Sequence, residues 1–297
     1  MKILLVRHGE SAANADKTIH ETMADHDIPL SERGLAQATE AGNFLNEFLF
    51  NMIYGAEQYQ YGHIRLWNSP YRRTRQTAKN IMAQILPEER LNPKLGIVID
   101  QREHTKLCEQ QFGLFDGIDD DKYEVHFPNE GKHYNKCVAQ EGKYWARMPL
   151  GESQFDVANR VSQTFGTFHR DEEKHGIDTI IVVCHGVTMR AFIQQWLHLS
   201  PEWFNTEPNP DNCWIRLLDN DSDDQRWLDR GYIFTGDGIT EHWPKQKKPR
   251  IGTPCAIKCE NVVGDCQICK RTEDEITNWG KMTTQQRSSI LVDLTLR

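Results

Sequence analysis

Long apolar runs are missing: nowhere does the 297-residue chain gather the ~18 consecutive apolar residues that a membrane helix needs. Its opening apolar run, residues 3–6, meets Arg7 and His8 at once and is far shorter than the apolar core of a secretory signal. The expectation is therefore a cytoplasmic protein without a membrane partner. A basic excess is missing too. With 43 acidic against 35 basic residues the formal charge is −8, which argues against nonspecific binding of nucleic acid or anionic membrane. An anionic small substrate is still open, because a pocket can be positive inside an acidic shell. Internal repeats and low-complexity tracts are absent. Cys108, Cys137, Cys184 and Cys213 lie scattered, which in a chain without a secretory signal reads as reduced thiol rather than a disulfide framework.

What is present describes a globular protein. Hydrophobic residues make up 38% of the chain and eight are Trp, enough apolar material for a large core. Residues 2–6 form a short branched run that predicts a buried strand ending at Arg7-His8-Gly9. Between residues 34 and 49, Leu35, Ala38, Ala41, Leu45 and Leu49 recur at helical spacing, with Ser31 placed to cap them. Residues 64–67 predict a second strand, stopped by Ser69-Pro70. A helix over 73–86 shows Ala78, Ile81, Met82 and Ile85 on one face, and 96–100 predicts a third strand. Residues 113–150 mix charge, glycine and aromatics with little periodicity, the texture of an inserted lid of short helices and loops. Beyond it Ser153 caps a helix bearing Val157, Val161, Phe165 and Phe168. Thr179-Ile180-Ile181-Val182-Val183-Cys184 is the clearest buried strand, and it runs into His185-Gly186 ahead of a further helix. Residues 214–218 add another strand.

Strands alternating with helices predict a three-layer α/β/α sandwich with a mainly parallel sheet. The acidic run at 220–224 places a boundary there, giving a catalytic domain over 1–219 and a C-terminal extension over 220–297. In open α/β sheets, ligands bind beyond the carboxyl ends of the strands. Arg7 and His8 follow the first strand, Arg73 the second, and His185 the fourth. Two guanidinium groups and two imidazoles with no carboxylate cluster suit a phosphate better than a divalent metal.

These residues resemble the histidine phosphatase superfamily, the phosphoglycerate mutase-like fold of branch 1. Leu5-Val6-Arg7-His8-Gly9-Glu10-Ser11 with Asn14 is similar to its opening signature, and Pro29-Leu30-Ser31-Glu32-Arg33-Gly34 to the segment that follows. Ser69-Pro70-Tyr71-Arg72-Arg73-Thr74-Arg75-Gln76-Thr77-Ala78 resembles its second-arginine motif in a register that selects Arg73. Leu107-Cys108-Glu109-Gln110-Gln111-Phe112-Gly113 is similar to its acid motif; Gly151-Glu152-Ser153 and Val183-Cys184-His185-Gly186 complete the order. The resemblance covers residues 1–218 and implies a metal-independent phosphomonoester hydrolase. It assigns His8 as nucleophile forming a phosphohistidine, with Arg7, Arg73 and His185 as phosphate ligands and Glu109 as proton donor. Ser11, Asn14 and the Gly186 amide are implied as further substrate contacts, and no cofactor is needed for catalysis.

Within that family the acid motif of the mutases carries basic groups where this chain has Gln110 and Gln111, and their adjacent arginine pair is absent from 113–150. Phosphatase is therefore expected ahead of cofactor-dependent mutase, on a small phosphorylated metabolite or another phosphomonoester. A different class enters with the tail. Cys255, Cys259, Cys266 and Cys269 crowd together, and Cys266-x2-Cys269 has a familiar metal-ligand spacing. They are the candidate ligands of one structural zinc, which raises the alternative of a catalytically weak scaffold acting through that tail.

Overall fold

The structure, a computed structural model, describes residues 1–54, 63–85, 98–219, 229–235, 238–241, 272–278 and 290. Its strands are β1 (Lys2–Arg7), β2 (His63–Asn68), β3 (Val98–Glu103), β4 (Thr179–Cys184), β5 (Ile215–Asp219), β6 (Asp229–Thr235) and β7 (Gly238–Glu241). Its α-helices are α1 (Ala12–Ala15), α2 (Glu32–Tyr54), α3 (Arg72–Ile85), α4 (Tyr123–His126), α5 (Pro128–Glu141), α6 (Gln154–Ser162), α7 (Phe165–His175), α8 (Gly186–Trp196), α9 (Pro201–Thr206) and α10 (Glu273–Asn278).

One sheet in the order β3-β2-β4-β1-β5-β6-β7 joins the strands. β1, β2, β3 and β4 run parallel, and β5 turns antiparallel against β1. Strand alternation explains the layers, since successive side chains point to opposite faces. Ile3, Leu5, Ile180 and Val182 face α6, α7, α8 and α9 through Val157, Val161, Phe168, Phe192 and Phe204. Leu4, Val6, Ile181, Val183, Ile64 and Leu66 face α2 and α3 through Ala38, Ala41, Leu45, Ala78 and Ile81. Because β1 and β4 are covered on both sides, their sequences read as unbroken apolar runs. The three-layer sandwich with a mainly parallel sheet is the fold expected from the sequence. The insertion has its own small core of Phe115, Tyr123, Tyr134, Ala146 and Met148.

Three details differ from expectation. Leu35 lies on the exposed side of α2, while the other members of its stripe are buried. The helix that Ser153 caps ends at Ser162 and restarts at Phe165, where the Thr164 hydroxyl turns back onto the Val161 carbonyl at 2.7 Å. The sheet also continues past residue 219, with β6 pairing β5 and β7 pairing β6. The compact units are accordingly Met1–Pro244 and Lys245–Arg297, and the boundary expected near 220 falls inside the first. A polar acidic run has the same composition whether it leaves a domain or joins two of its strands. In the second unit the described helix α10 is capped reciprocally: Glu275 N donates to Thr272 Oγ1 and Thr272 N to Glu275 Oε2. Among the described residues no helix is long and apolar enough to cross a membrane.

A buried charge on the sheet is costly enough to need a partner. Arg65, on the β2 face shared with Trp67, is buried and donates to Asp171 at 2.5 Å and to Asp100 at 2.7 Å. Trp67 Nε1 donates to the second Asp171 oxygen at 3.0 Å. Removing one partner of a buried pair strands the other charge, at a cost of about 3–5 kcal/mol. Asp171→Ala should therefore cost that much in urea unfolding, and Asp100→Ala, whose carboxylate is part-exposed, clearly less. Equal losses would contradict this account of the pair.

Candidate active site

The strand ends bring the predicted residues together. Arg7 closes β1 and His8 follows it; His185 follows β4 and occupies the N-cap position of α8; Arg73 lies in the first turn of α3, after β2. Two glycines allow the first loop to lie where it does. A Cβ on Gly9 would strike the Gly34 carbonyl, and one on Gly34 would strike the Glu10 carbonyl, so the 9–11 and 30–34 segments meet backbone to backbone. Side chains of the second-arginine motif fasten both. Thr77 Oγ1 accepts from Gly9 N at 3.1 Å, and Gln76 Oε1 accepts from Leu30 N at 2.7 Å.

His8 is buried, and its Nδ1 lies 2.7 Å from the Gly9 carbonyl. A carbonyl only accepts, so Nδ1 carries the proton and Nε2 holds the free lone pair. Burial above all, then Arg73 and Arg7, pushes the His8 pKa well below the ordinary imidazole value. His185 is lowered likewise, by burial first and then by Arg73, His8 and Arg7. The two rings meet edge-on with centroids 5.2 Å apart. His185 Nε2 is 2.9 Å from Ser69 Oγ, while its buried Nδ1 has no hydrogen-bond partner among the described residues.

Arg7 donates through Nη1 to the Pro210 carbonyl and keeps a buried Nε with no described partner. Burial works against its charge, and Glu109 and Asp211 favour it. Arg73 packs over the Tyr71 ring at 4.9 Å, and Tyr71 in turn lies edge-on to His185 at 4.9 Å. Glu109 sits at the start of α8, where Val187 N and Thr188 N donate to its two oxygens at 3.3 and 3.2 Å. The positive end of the helix thus holds the carboxylate on the cavity that His8 lines. Arg160 fixes this loop by donating to the Glu109 carbonyl at 3.0 Å and to Glu152 Oε1 at 2.8 Å, which is the work of the Gly151-Glu152-Ser153 motif.

A cavity of about 470 Å³ opens on this cluster, lined by Arg7, His8, Ser11, Asn14, Arg73 and Glu109 from the predicted set. Ser11 and Asn14 also form a capping box for α1, each accepting at 3.1 Å from the other's main-chain N–H. At Gly186 a Cβ would strike Asn209, whose side chain reaches the cavity from the far connection. The insertion supplies one wall through Phe115, Asp116, Ile118 and Tyr123. Cys255, Cys259, Cys266 and Cys269 lie outside the described residues.

Several residues of the site went unread in the sequence, Arg190, Ser69, Tyr71 and Asp25 among them. Arg190 lines the cavity with its Nε unpartnered among the described residues, and lies one helical turn after Gly186 on α8, a spacing that could have flagged it. Ser69 and Tyr71 stand inside a motif searched only for its arginine. Asp25 and its contact with Arg73 carry no local signal at all.

Comparison with known proteins gives the chain a family and a fold. The family model of the histidine phosphatase superfamily (branch 1) matches residues 3–231, and a second model, a protein family of unknown function (DUF1289), matches residues 253–297. The phosphoglycerate mutase-like protein AT74H of Arabidopsis thaliana is 32% identical over 227 residues, covering 73% of each chain. AT74 from the same plant is 33% identical over 226 residues, covering 73% of this chain and 64% of that protein. The broad-range acid phosphatase DET1 of Saccharomyces cerevisiae is 24% identical over 301 residues, covering 76% of this chain and 87% of its own. Among solved structures, a mycobacterial glucosyl-3-phosphoglycerate phosphatase complexed with VO3 superposes with a TM-score of 0.51 at 21% identity, over 73% of this chain and 92% of that one. The chain belongs to the histidine phosphatase superfamily, branch 1, and is an enzyme of the histidine phosphatase type.

Proposed function

We propose that this enzyme hydrolyses small phosphomonoesters through a phosphohistidine on His8, without a metal in the chemical step. The observation that carries the proposal is the single free lone pair on His8 Nε2, fixed by the Nδ1–Gly9 hydrogen bond and flanked by two guanidinium groups. Nε2 attacks phosphorus in line, a P–N bond forms, and the P–O bond to the alcohol breaks. Glu109 gives a proton to the departing alkoxide and takes one from the water that then attacks the phosphohistidine. That second step releases inorganic phosphate and returns His8 neutral. Arg7, Arg73 and His185 spread over the equatorial oxygens and supply the charge stabilisation that dominates phosphoryl transfer. If the Ser69 hydroxyl donates to His185 Nε2, the neutral ring keeps its proton on Nδ1, free to donate to the phosphoryl group.

Hydrolysis is favoured over mutase transfer by the neutral pair Gln110 and Gln111 after the acid. Gln110 is spent on the loop, donating to the Glu152 carbonyl at 2.7 Å. The sequence kinship with a broad-range acid phosphatase supports the same choice. For the C-terminal unit we propose one structural zinc on Cys255, Cys259, Cys266 and Cys269, supported by the crowding of four thiols and the x2 spacing of the last pair.

Two measurements test these assignments. Phosphate release from an aryl phosphate in chelator should proceed in the wild type and fall by at least about a thousandfold in His8→Ala; metal-dependent turnover, or turnover surviving the substitution, contradicts the mechanism. Elemental analysis should find about one zinc per chain, lost in Cys266→Ser. A zinc-free protein with all four tail thiols open to a thiol reagent contradicts the tail assignment.

A further inference from the structure

A guanidinium group offers a planar anion two docking edges, the Nη1–Nη2 end and the Nε–Nη2 side. On Arg73 the end is already taken. Nη1 donates to Asp25 Oδ1 at 2.8 Å and to the Asp25 carbonyl at 2.5 Å, and Nη2 donates to Oδ2 at 3.3 Å. Nε and the second Nη2 hydrogen have no partner among the described residues, so the side edge is the one that can meet a phosphoryl group. Arg73 is 5% exposed, and an unpaired buried guanidinium would be costly. Asp25 therefore both satisfies Arg73 and fixes which edge it presents.

Asp25 belongs to a strap, residues 17–27, that touches the phosphate clamp and the insertion together. Lys17 pairs with Asp119, and His20 Nδ1 lies 3.7 Å from Asp116 Oδ2. Asp25 and Asp116 line the same cavity as His8. They feel one another: burial first, and the Asp25 charge next, push the Asp116 carboxyl up. The other charges of the strap and the insertion are engaged, Lys17 by Asp119 and Asp120 by Lys143, while Arg190 enters the cavity from α8. Asp116 has His20 beside it, and the Arg73 charge also favours its ionised form.

We infer that Asp25, together with Asp116, determines specificity: it leaves one edge of Arg73 to the phosphoryl group and sets fixed negative charge beside the leaving alcohol. The site then selects phosphomonoesters whose alcohol is uncharged or bears an amine, and it turns away alcohols carrying a second acid group. The inference rests on the phosphatase reading given above. Like charges facing one another across a partly desolvated cavity change binding by about ten- to thirtyfold.

Glycerol 3-phosphate and 3-phosphoglycerate share their phosphate and differ chiefly in a hydroxymethyl against a carboxylate, so the ratio of their kcat/KM values reads the effect directly. The wild type should prefer glycerol 3-phosphate by about tenfold or more, and Asp25→Asn and Asp116→Asn should each narrow that ratio by about three- to tenfold. A merely structural Asp25 would slow both substrates equally and leave the ratio unmoved. A wild type with no preference or the reverse one, or a ratio unchanged in both variants, overturns the inference. Where Asp25→Asn does not fold, Asp116→Asn decides alone. His8-dependent hydrolysis of an aryl phosphate, run alongside, separates the two claims: its presence with a flat ratio sinks this inference only, and its absence sinks the phosphatase reading with it.

Discussion

Two guanidinium groups held against a buried neutral imidazole are the constraint on which the rest of the site depends. Arg7 and Arg73 both press His8 toward its uncharged form, and burial does more than either. An uncharged imidazole with Nδ1 tied to the Gly9 carbonyl has one place left from which to attack. The same positive charges that suppress protonation are the ones that would attract a phosphate dianion. In the proposed mechanism one arrangement thus prepares the nucleophile and recognises the electrophile.

Much of the surrounding sequence holds that arrangement in place. The parallel strands β1, β2 and β4 deliver their last residues to one edge of the sheet, where His8, Arg73 and His185 meet. Gly9 and Gly34 let the first loop fold flat against its neighbour, and Thr77 and Gln76 fasten the two loops to α3. Arg160 and Glu152 brace the loop that places Glu109 at the start of α8. Residues that read as motif letters in the sequence turn out to be fasteners for the few that face the cavity.

The sheet and its layers were legible because β1 and β4 are buried on both faces and α2 and α3 carry apolar stripes of helical period. The core of the site was legible for a related reason: His8 and His185 follow a strand directly and Arg73 comes soon after one, so local sequence places them at the carboxyl ends of parallel strands. What escaped depends on contacts distant in the chain. Asp25 reaches Arg73 across 48 positions, a contact that periodicity cannot announce. Leu35 fits the helical stripe but sits beyond the edge of the face that packs. The boundary expected near 220 falls inside the first compact unit, because composition alone does not tell a connection between two strands from the end of a domain. The four-cysteine tail lies outside the described residues and rests on its spacing alone.

The account turns on the charge state of His8. Its folded pKa is pushed below the ordinary imidazole value, so the ring should stay neutral, with the proton on Nδ1, while an exposed histidine titrates around pH 6.5. Nitrogen-15 NMR of the histidine rings from pH 8 down to 5 measures this directly, with His8→Gln identifying the signal. The predicted result is an Nδ1–H tautomer that persists through the ordinary titration range, so that the nucleophile is not lost to protonation there. A His8 ring that gains its second proton at or above the ordinary imidazole value, or that carries its proton on Nε2, would contradict the account.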